Sequence, residues 1–103
     1  MSKRTMSIMK ECAPVFSMLQ DDKRQEIMVL LFDNRELSVT EITDRLSLSR
    51  PAVSHHLKLL LDTGLVSVRQ EGKERYYRLE LDEALKLLKK LTNSIEDDIA
   101  KKT

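Results

Sequence analysis

Apolar side chains recur along this chain at two spacings, and the change from one to the other falls at Gly64. Before Gly64 the period is helical. Between Thr5 and Leu19 the residues Ile8, Met9, Cys12, Phe16 and Leu19 fall on one helical stripe, and Pro14 predicts either a kink or the opening of a second short helix. A next helix is expected from Asp21 or Asp22, acids suited to a helix N-terminus, with Ile27, Leu30 and Leu31 as its stripe and its end near Asp33-Asn34. Ser38-Val39-Thr40-Glu41 reads as a capping box that opens a helix burying Val39, Ile42 and Leu46. Ser47-Leu48-Ser49 breaks the pattern. Ser49 as N-cap and Pro51 in the first turn then start a helix that runs to about Thr63, where Gly64 supplies the stop.

Past Gly64 the period becomes two. Val66 and Val68 alternate with Ser67 and Arg69, Tyr77 and Leu79 alternate with Tyr76 and Arg78, and Glu71-Gly72 between them is a turn signal. A β-hairpin with a charged tip is predicted. From about Leu81 the helical period returns, with Leu85, Leu88, Leu91, Ile95 and Ile99 on one face. Two short helices joined by a tight turn, with a hairpin directly after the second, predict a mainly α fold with a small β-hairpin: a winged helix-turn-helix. One domain, 1–103, accommodates it, with the helix-turn-helix at 38–63, the wing at 65–79 and terminal helices at 1–19 and 81–102.

The helix after Ser49 divides into two faces. Val53, Leu57 and Leu60 form a core stripe, while Arg50, Pro51, Ser54, His55 and Lys58 lie opposite. Hydrogen-bond donors along the first half of a helix are what major-groove reading requires. An Arg reaches guanine O6 and N7 with two bonds, and Ser or His reaches base edges or phosphates. The helix N-terminus adds N–H groups and partial positive charge for a phosphate. Thr40 and Ser49 are expected to contact DNA with this face, and Arg69, Gln70, Lys73 and Arg75 near the hairpin tip are expected to reach phosphates or a minor groove. Double-stranded DNA is the predicted partner. The plainer reading of the wing residues is a solvated hairpin that its charges keep soluble.

Composition sharpens this only in part. A hydrophobic share of 41% argues against disorder, and the scarcity of aromatics favours helix over sheet. The formal net charge of +1 does not itself indicate a nucleic-acid binder. Its distribution says more: Arg50, Lys58, Arg69, Lys73, Arg75 and Arg78 outnumber Asp62, Glu71 and Glu74 across the same stretch, so the remainder is slightly acidic. The single Cys12, the lack of an apolar signal core at the N-terminus and the lack of a long apolar run point to a cytoplasmic protein with no membrane partner.

Ser49-Arg50-Pro51-Ala52-Val53-Ser54-His55-His56-Leu57-Lys58-Leu59-Leu60, then Asp62-Thr63-Gly64-Leu65-Val66, Glu71-Gly72-Lys73 and Tyr76-Tyr77-Arg78-Leu79, resemble the recognition helix and wing of the ArsR/SmtB family of bacterial winged-helix repressors, in the family's order. The resemblance spans Met18 to Leu79 strongly and the terminal helices by layout. It implies a homodimer formed by the first and last helices, an effector that relieves repression, and DNA contact at the positions of Arg50, Ser54 and His55. The apolar residues Ile8, Met9, Cys12, Phe16, Leu85, Leu88 and Ile95 are the expected dimer interface, since they exceed what one small domain covers. An imperfect palindrome is the expected operator.

Many members of that family sense metals, but the ligand positions are not met here. Ser38 and Thr40 stand where the resemblance places two cysteines, and hydroxyls are poor ligands for soft metals. The last helix has no His, and its acids Glu83, Glu96, Asp97 and Asp98 read as a solvated face. No metal site and no cofactor are expected. Cys12 lies on an apolar stripe, where a thiol more often packs than senses. His56 reads as a structural histidine, and the adjacent His55 diverges from it by about 100° on a helix, which opposes joint chelation. No Gly-rich phosphate loop, HExxH or supported Ser-His-acid set is present, so no enzyme is expected. Two alternatives remain: a metal- or thiol-responsive repressor with unrecognised ligands or Cys12, and a winged helix serving protein contacts alone.

Overall fold

In the computed structural model, which describes residues 1–102, the chain forms five helices and three strands: α1 (Lys3–Met18), α2 (Asp22–Asp33), β1 (Leu37–Ser38), α3 (Val39–Arg45), α4 (Arg50–Asp62), β2 (Val66–Glu71), β3 (Glu74–Leu79) and α5 (Asp82–Lys102). Local chemistry sets most of these limits. The Ser2 hydroxyl caps α1 by accepting from the Thr5 N–H, and the Asp21 carboxylate caps α2 by accepting from Lys23 and Arg24. At α3 both halves of the capping box form: Glu41 N–H donates to the Ser38 hydroxyl, and Ser38 N–H donates to the Glu41 carboxylate. Ser49 caps α4, with Pro51 in its first turn. Past Thr63, the Leu65 N–H bonds the Leu60 carbonyl and the Gly64 N–H bonds the Leu61 carbonyl, while Gly64 takes φ +78°. This is the Schellman arrangement that directs the chain out of the helix and into the wing.

Pro14 neither ends α1 nor opens a second helix; it lies exposed inside one continuous helix. The sheet also holds more than the predicted hairpin. Its order is β1-β3-β2, all antiparallel, with Leu37 opposite Tyr77 and Ser38 opposite Tyr76. β2 and β3 pair from Val66–Leu79 to Glu71–Glu74, leaving Gly72-Lys73 as a two-residue turn with Gly72 at φ +63°.

One core joins these elements. Val15, Met18, Ile27, Leu31, Leu37, Val39, Ile42, Val53, Leu57, Leu60, Leu65, Val66 and Tyr77 are buried together, with Leu30 and Leu46 packed partly against them. The helix-turn-helix and the base of the wing are thus fixed to one another by the same apolar contacts.

The terminal helices form a separate layer. α1 and α5 run antiparallel, joined by Ser2 to Asp98, by the buried hydroxyl pair Thr5 and Ser94, and by Cys12 near the Leu87 carbonyl. The expectation that Ile8 and Cys12 lie on an outer dimer surface is corrected here. Both are buried within the chain, Cys12 at 0% exposure, because the stripe that carries them closes against α5. Met9, Phe16 and Leu85 do reach the surface, at 45%, 42% and 48% exposure, while Leu88 and Ile95 are half-buried.

Candidate nucleic-acid interface

The cleft between α4 and the wing gathers most of the polar residues singled out in the sequence. Val53, Leu57 and Leu60 anchor α4 in the core at 0% exposure, and this fixes its opposite face outward. Arg50, Ser54 and Lys58 line one wall of the cleft; Gln70, Lys73 and Arg75 of the wing line the other. Val39, Leu61 and Tyr77 also line it, and Asp62 is the one acid among the described residues that do. Ser49, Pro51 and His55 are exposed beside it. Thr40 is also exposed, and its hydroxyl accepts a 2.7 Å hydrogen bond from Arg50 Nη1, which ties the start of α4 to the first turn of α3. Lys58 Nζ is 3.7 Å from the Asp62 carboxylate, an exposed pair one helical turn apart.

Arg69 does not belong to this set. Strand side chains alternate between faces, so Gln70 and Arg75 turn toward α4 while Arg69 and Tyr76 turn to the other side of the sheet. There the Arg69 guanidinium is bound by the Glu36 carboxylate through Nε and Nη2, donates to Glu71 through Nη1 at 2.8 Å, and lies 4.6 Å over the Tyr76 ring. These bonds hold the Glu36 carboxyl below the usual carboxylate range and push the guanidinium higher still. Arg69, expected among the DNA contacts, is thus set apart from the cleft residues: Nε, Nη1 and Nη2 each donate to Glu36 or Glu71 on the other face of the sheet. The sequence carried a signal for this, since Arg69 is out of phase with the core residue Val66.

The two histidines part as the helical turn dictates. His55 is exposed, whereas His56 faces inward, with Arg24 Nη1 3.5 Å from its Nδ1. Burial, more than any neighbouring charge, pushes the His56 imidazole below its ordinary value, with Asp21 opposing that shift. Arg24 also donates to the Met18 and Ser17 carbonyls, so one side chain links the end of α1 to the inner side of α4. The Cys12 thiol is pushed up, chiefly by burial and also by Glu11, which disfavours the reactive thiolate. Among the described residues no three His, Cys, Asp or Glu side chains come together as a set able to hold a metal ion, and no helix is long and apolar enough to cross a membrane.

A helix-turn-helix followed by a two-stranded wing, with β1 completing the sheet, is the frame in which the similarities fall. A family profile described as "Bacterial regulatory protein, arsR family" matches residues 21–68. The chain is 33% identical to an HTH-type transcriptional regulator of Methanocaldococcus jannaschii, over 84% of its own length and 96% of the relative's. This chain belongs to the arsR family. It is 32% identical to the arsenical resistance operon repressor of Staphylococcus aureus, over 89% of this chain and 90% of that one. Among solved structures, the ArsR-like transcriptional regulator from Rhodococcus sp. RHA1 superposes with a TM-score of 0.77 at 32% identity, covering 89% of this chain and 86% of that one. As an arsR-family regulator the chain is a DNA-binding transcriptional regulator with a winged helix-turn-helix.

Proposed function

We propose that the chain acts as a homodimeric repressor in the cytoplasm, has no catalytic activity, and places two copies of α4 in successive major grooves of an imperfectly palindromic operator. One observation carries this reading: Arg50, Ser54 and Lys58 face Gln70, Lys73 and Arg75 across a single open cleft, with the apolar side of α4 sealed beneath. In it Arg50 reads a guanine, Ser54 and His55 meet base edges or phosphates, Lys58 and the Ser49 end of α4 take phosphate, and the wing cations hold the adjoining backbone. One helix reads few bases, so two half-sites about 34 Å apart, or a multiple of that, supply the specificity.

The supporting argument for a dimer is the shape of the terminal layer. Ser94 is the one fully buried residue among those described on α5, although Leu85, Leu88, Leu91 and Ile95 recur along its length. With α1 packed on it, Leu85 stays exposed and Leu88, Leu91 and Ile95 only half-buried, and α1's own Met6, Met9 and Phe16 stay exposed. A helix with this much uncovered apolar surface is stabilised by a second copy across a two-fold axis. The test is selection from a random duplex library at two salt concentrations, with the oligomeric state read by analytical ultracentrifugation. Enrichment of a two-half-site sequence bound by a dimer is expected. Failure to enrich any sequence would leave a protein-interaction winged helix as the better reading.

A further inference from the structure

We propose that Glu36, Arg69 and Tyr76 form a positioning clasp that sets the angle of the wing against α4, so that Arg69 acts on DNA binding without touching DNA. This rests on the reading of the α4–wing cleft as the DNA interface. In the order β1-β3-β2, Glu36 immediately precedes β1, Tyr76 lies in the central strand and Arg69 in the outer one. The guanidinium lies over the Tyr76 ring and holds the Glu36 carboxylate beyond it, so the contact spans the full width of the sheet on the side away from the cleft. Glu71 adds a second carboxylate from the tip side.

The placement gives the clasp leverage. β1 is two residues long, and its Ser38 is also the N-cap of α3, so Glu36 stands at the start of the helix-turn-helix. Beyond Val66 and Tyr77 the hairpin leaves the core: Val68 is 37% exposed, and every residue from Arg69 to Lys73 is exposed. Little but strand pairing and this clasp then fixes Lys73 and Arg75 across from Arg50 and Lys58. An Arg fork between a carboxylate and an aromatic face resists twisting in a way that a Lys does not.

The experiment compares the wild-type chain with Arg69→Lys, Arg69→Glu, Glu36→Arg and the double exchange Arg69→Glu/Glu36→Arg. Hydrogen exchange of the Gln70–Arg75 amides is followed without DNA. Affinity for a duplex enriched by the wild-type chain is followed across a salt series. Circular dichroism confirms that each variant is folded. In the single variants, Arg69→Lys included, wing amides exchange faster and affinity falls by about tenfold, the size of a coupled side-chain pair. The double exchange, with unchanged net charge, returns both readouts to within about twofold of wild type, and Arg69→Lys leaves the salt slope unchanged. Two results overturn the clasp: wild-type affinity in Arg69→Lys, or a double exchange as weak as Arg69→Glu with a salt slope shallower by about one phosphate contact. The second marks Arg69 as a direct phosphate ligand, and the first shows that DNA binding does not depend on the Arg69 fork. If the wild-type chain enriches no duplex, the DNA reading falls, and the hydrogen-exchange comparison still decides the clasp.

Discussion

Arg50 Nη1 donates to the Thr40 hydroxyl at 2.7 Å, so the first residue of the recognition helix is held by the helix before it. The bond leaves the other terminal nitrogen of the guanidinium free to turn toward a base, and it limits the angles at which the side chain approaches. Arg50→Ala is expected to lower affinity for the enriched duplex by about 10- to 100-fold, the range of one bidentate base contact, with a much smaller loss on random DNA. Thr40→Val keeps the guanidinium and removes only its support, so the expected loss is smaller, about threefold. Fluorescence anisotropy on both duplexes measures the two effects. Equal losses of Arg50→Ala on both would reduce Arg50 to a phosphate contact.

The proposed dimer surface is tested best at residues that the chain's own fold does not need. Phe16 is 42% exposed on α1, so Phe16→Glu is expected to give a folded monomer with weakened operator binding. Leu88→Glu and Ile95→Glu are expected to dissociate the dimer as well, with some loss of fold because both are half-buried. Sedimentation velocity with circular dichroism separates these outcomes. A stable dimer in all three variants would move the interface off the terminal helices.

Gly64 turns the chain from α4 into the wing at φ +78°, and a Cβ there meets no atom within 4 Å. The cost of Gly64→Ala is therefore conformational, about 1 kcal/mol. Leu60→Ala, one helical turn earlier, removes a fully buried side chain and is expected to cost ~2–5 kcal/mol. Urea unfolding at one fixed protomer concentration measures both, with a lower midpoint and an unchanged slope expected for Gly64→Ala.

Protonation separates two pH windows. His56 in the fold holds its proton less tightly than in the unfolded chain, so the unfolded chain takes up that proton first as pH falls through about 6.5, and stability declines from there until the folded histidine also protonates. His56→Gln is expected to flatten this step. The second window belongs to the carboxylates of Asp21, Glu36, Glu41 and Asp98, all held below their ordinary values, mainly by hydrogen bonds. Their contribution is present above the ordinary carboxylate range and is lost as pH falls through the lowered values. Denaturant midpoints collected from pH 8 to pH 3 resolve the two, and a profile unchanged by His56→Gln would remove the histidine from the account.

What the sequence made legible was local chemistry. The caps at Ser38 and Ser49, Pro51 in the first turn of α4 and Gly64 after it each act within a few residues, so the helix-turn-helix and its outward polar row could be read directly. β1 could not, because it is two residues long, formed by pairing with a segment nearly forty residues away, and shares Ser38 with a helix cap. Nearness to the tip groups Arg69 with its neighbours in sequence, although strand parity sets it on the other face. Ile8 and Cys12 show a different limit. An apolar stripe declares that it is covered, and only the packing of α1 on α5 reveals that the cover lies within the same chain.

The central claim is that the row from Arg50 to Lys58 reads base edges in two grooves at once. Methylation interference at guanine N7, on a duplex enriched by the wild-type protein, tests it most directly. The prediction is two clusters of interfering guanines, about one helical turn or a multiple apart, each losing one position in Arg50→Ala. A single cluster, or a pattern indifferent to Arg50, would contradict it.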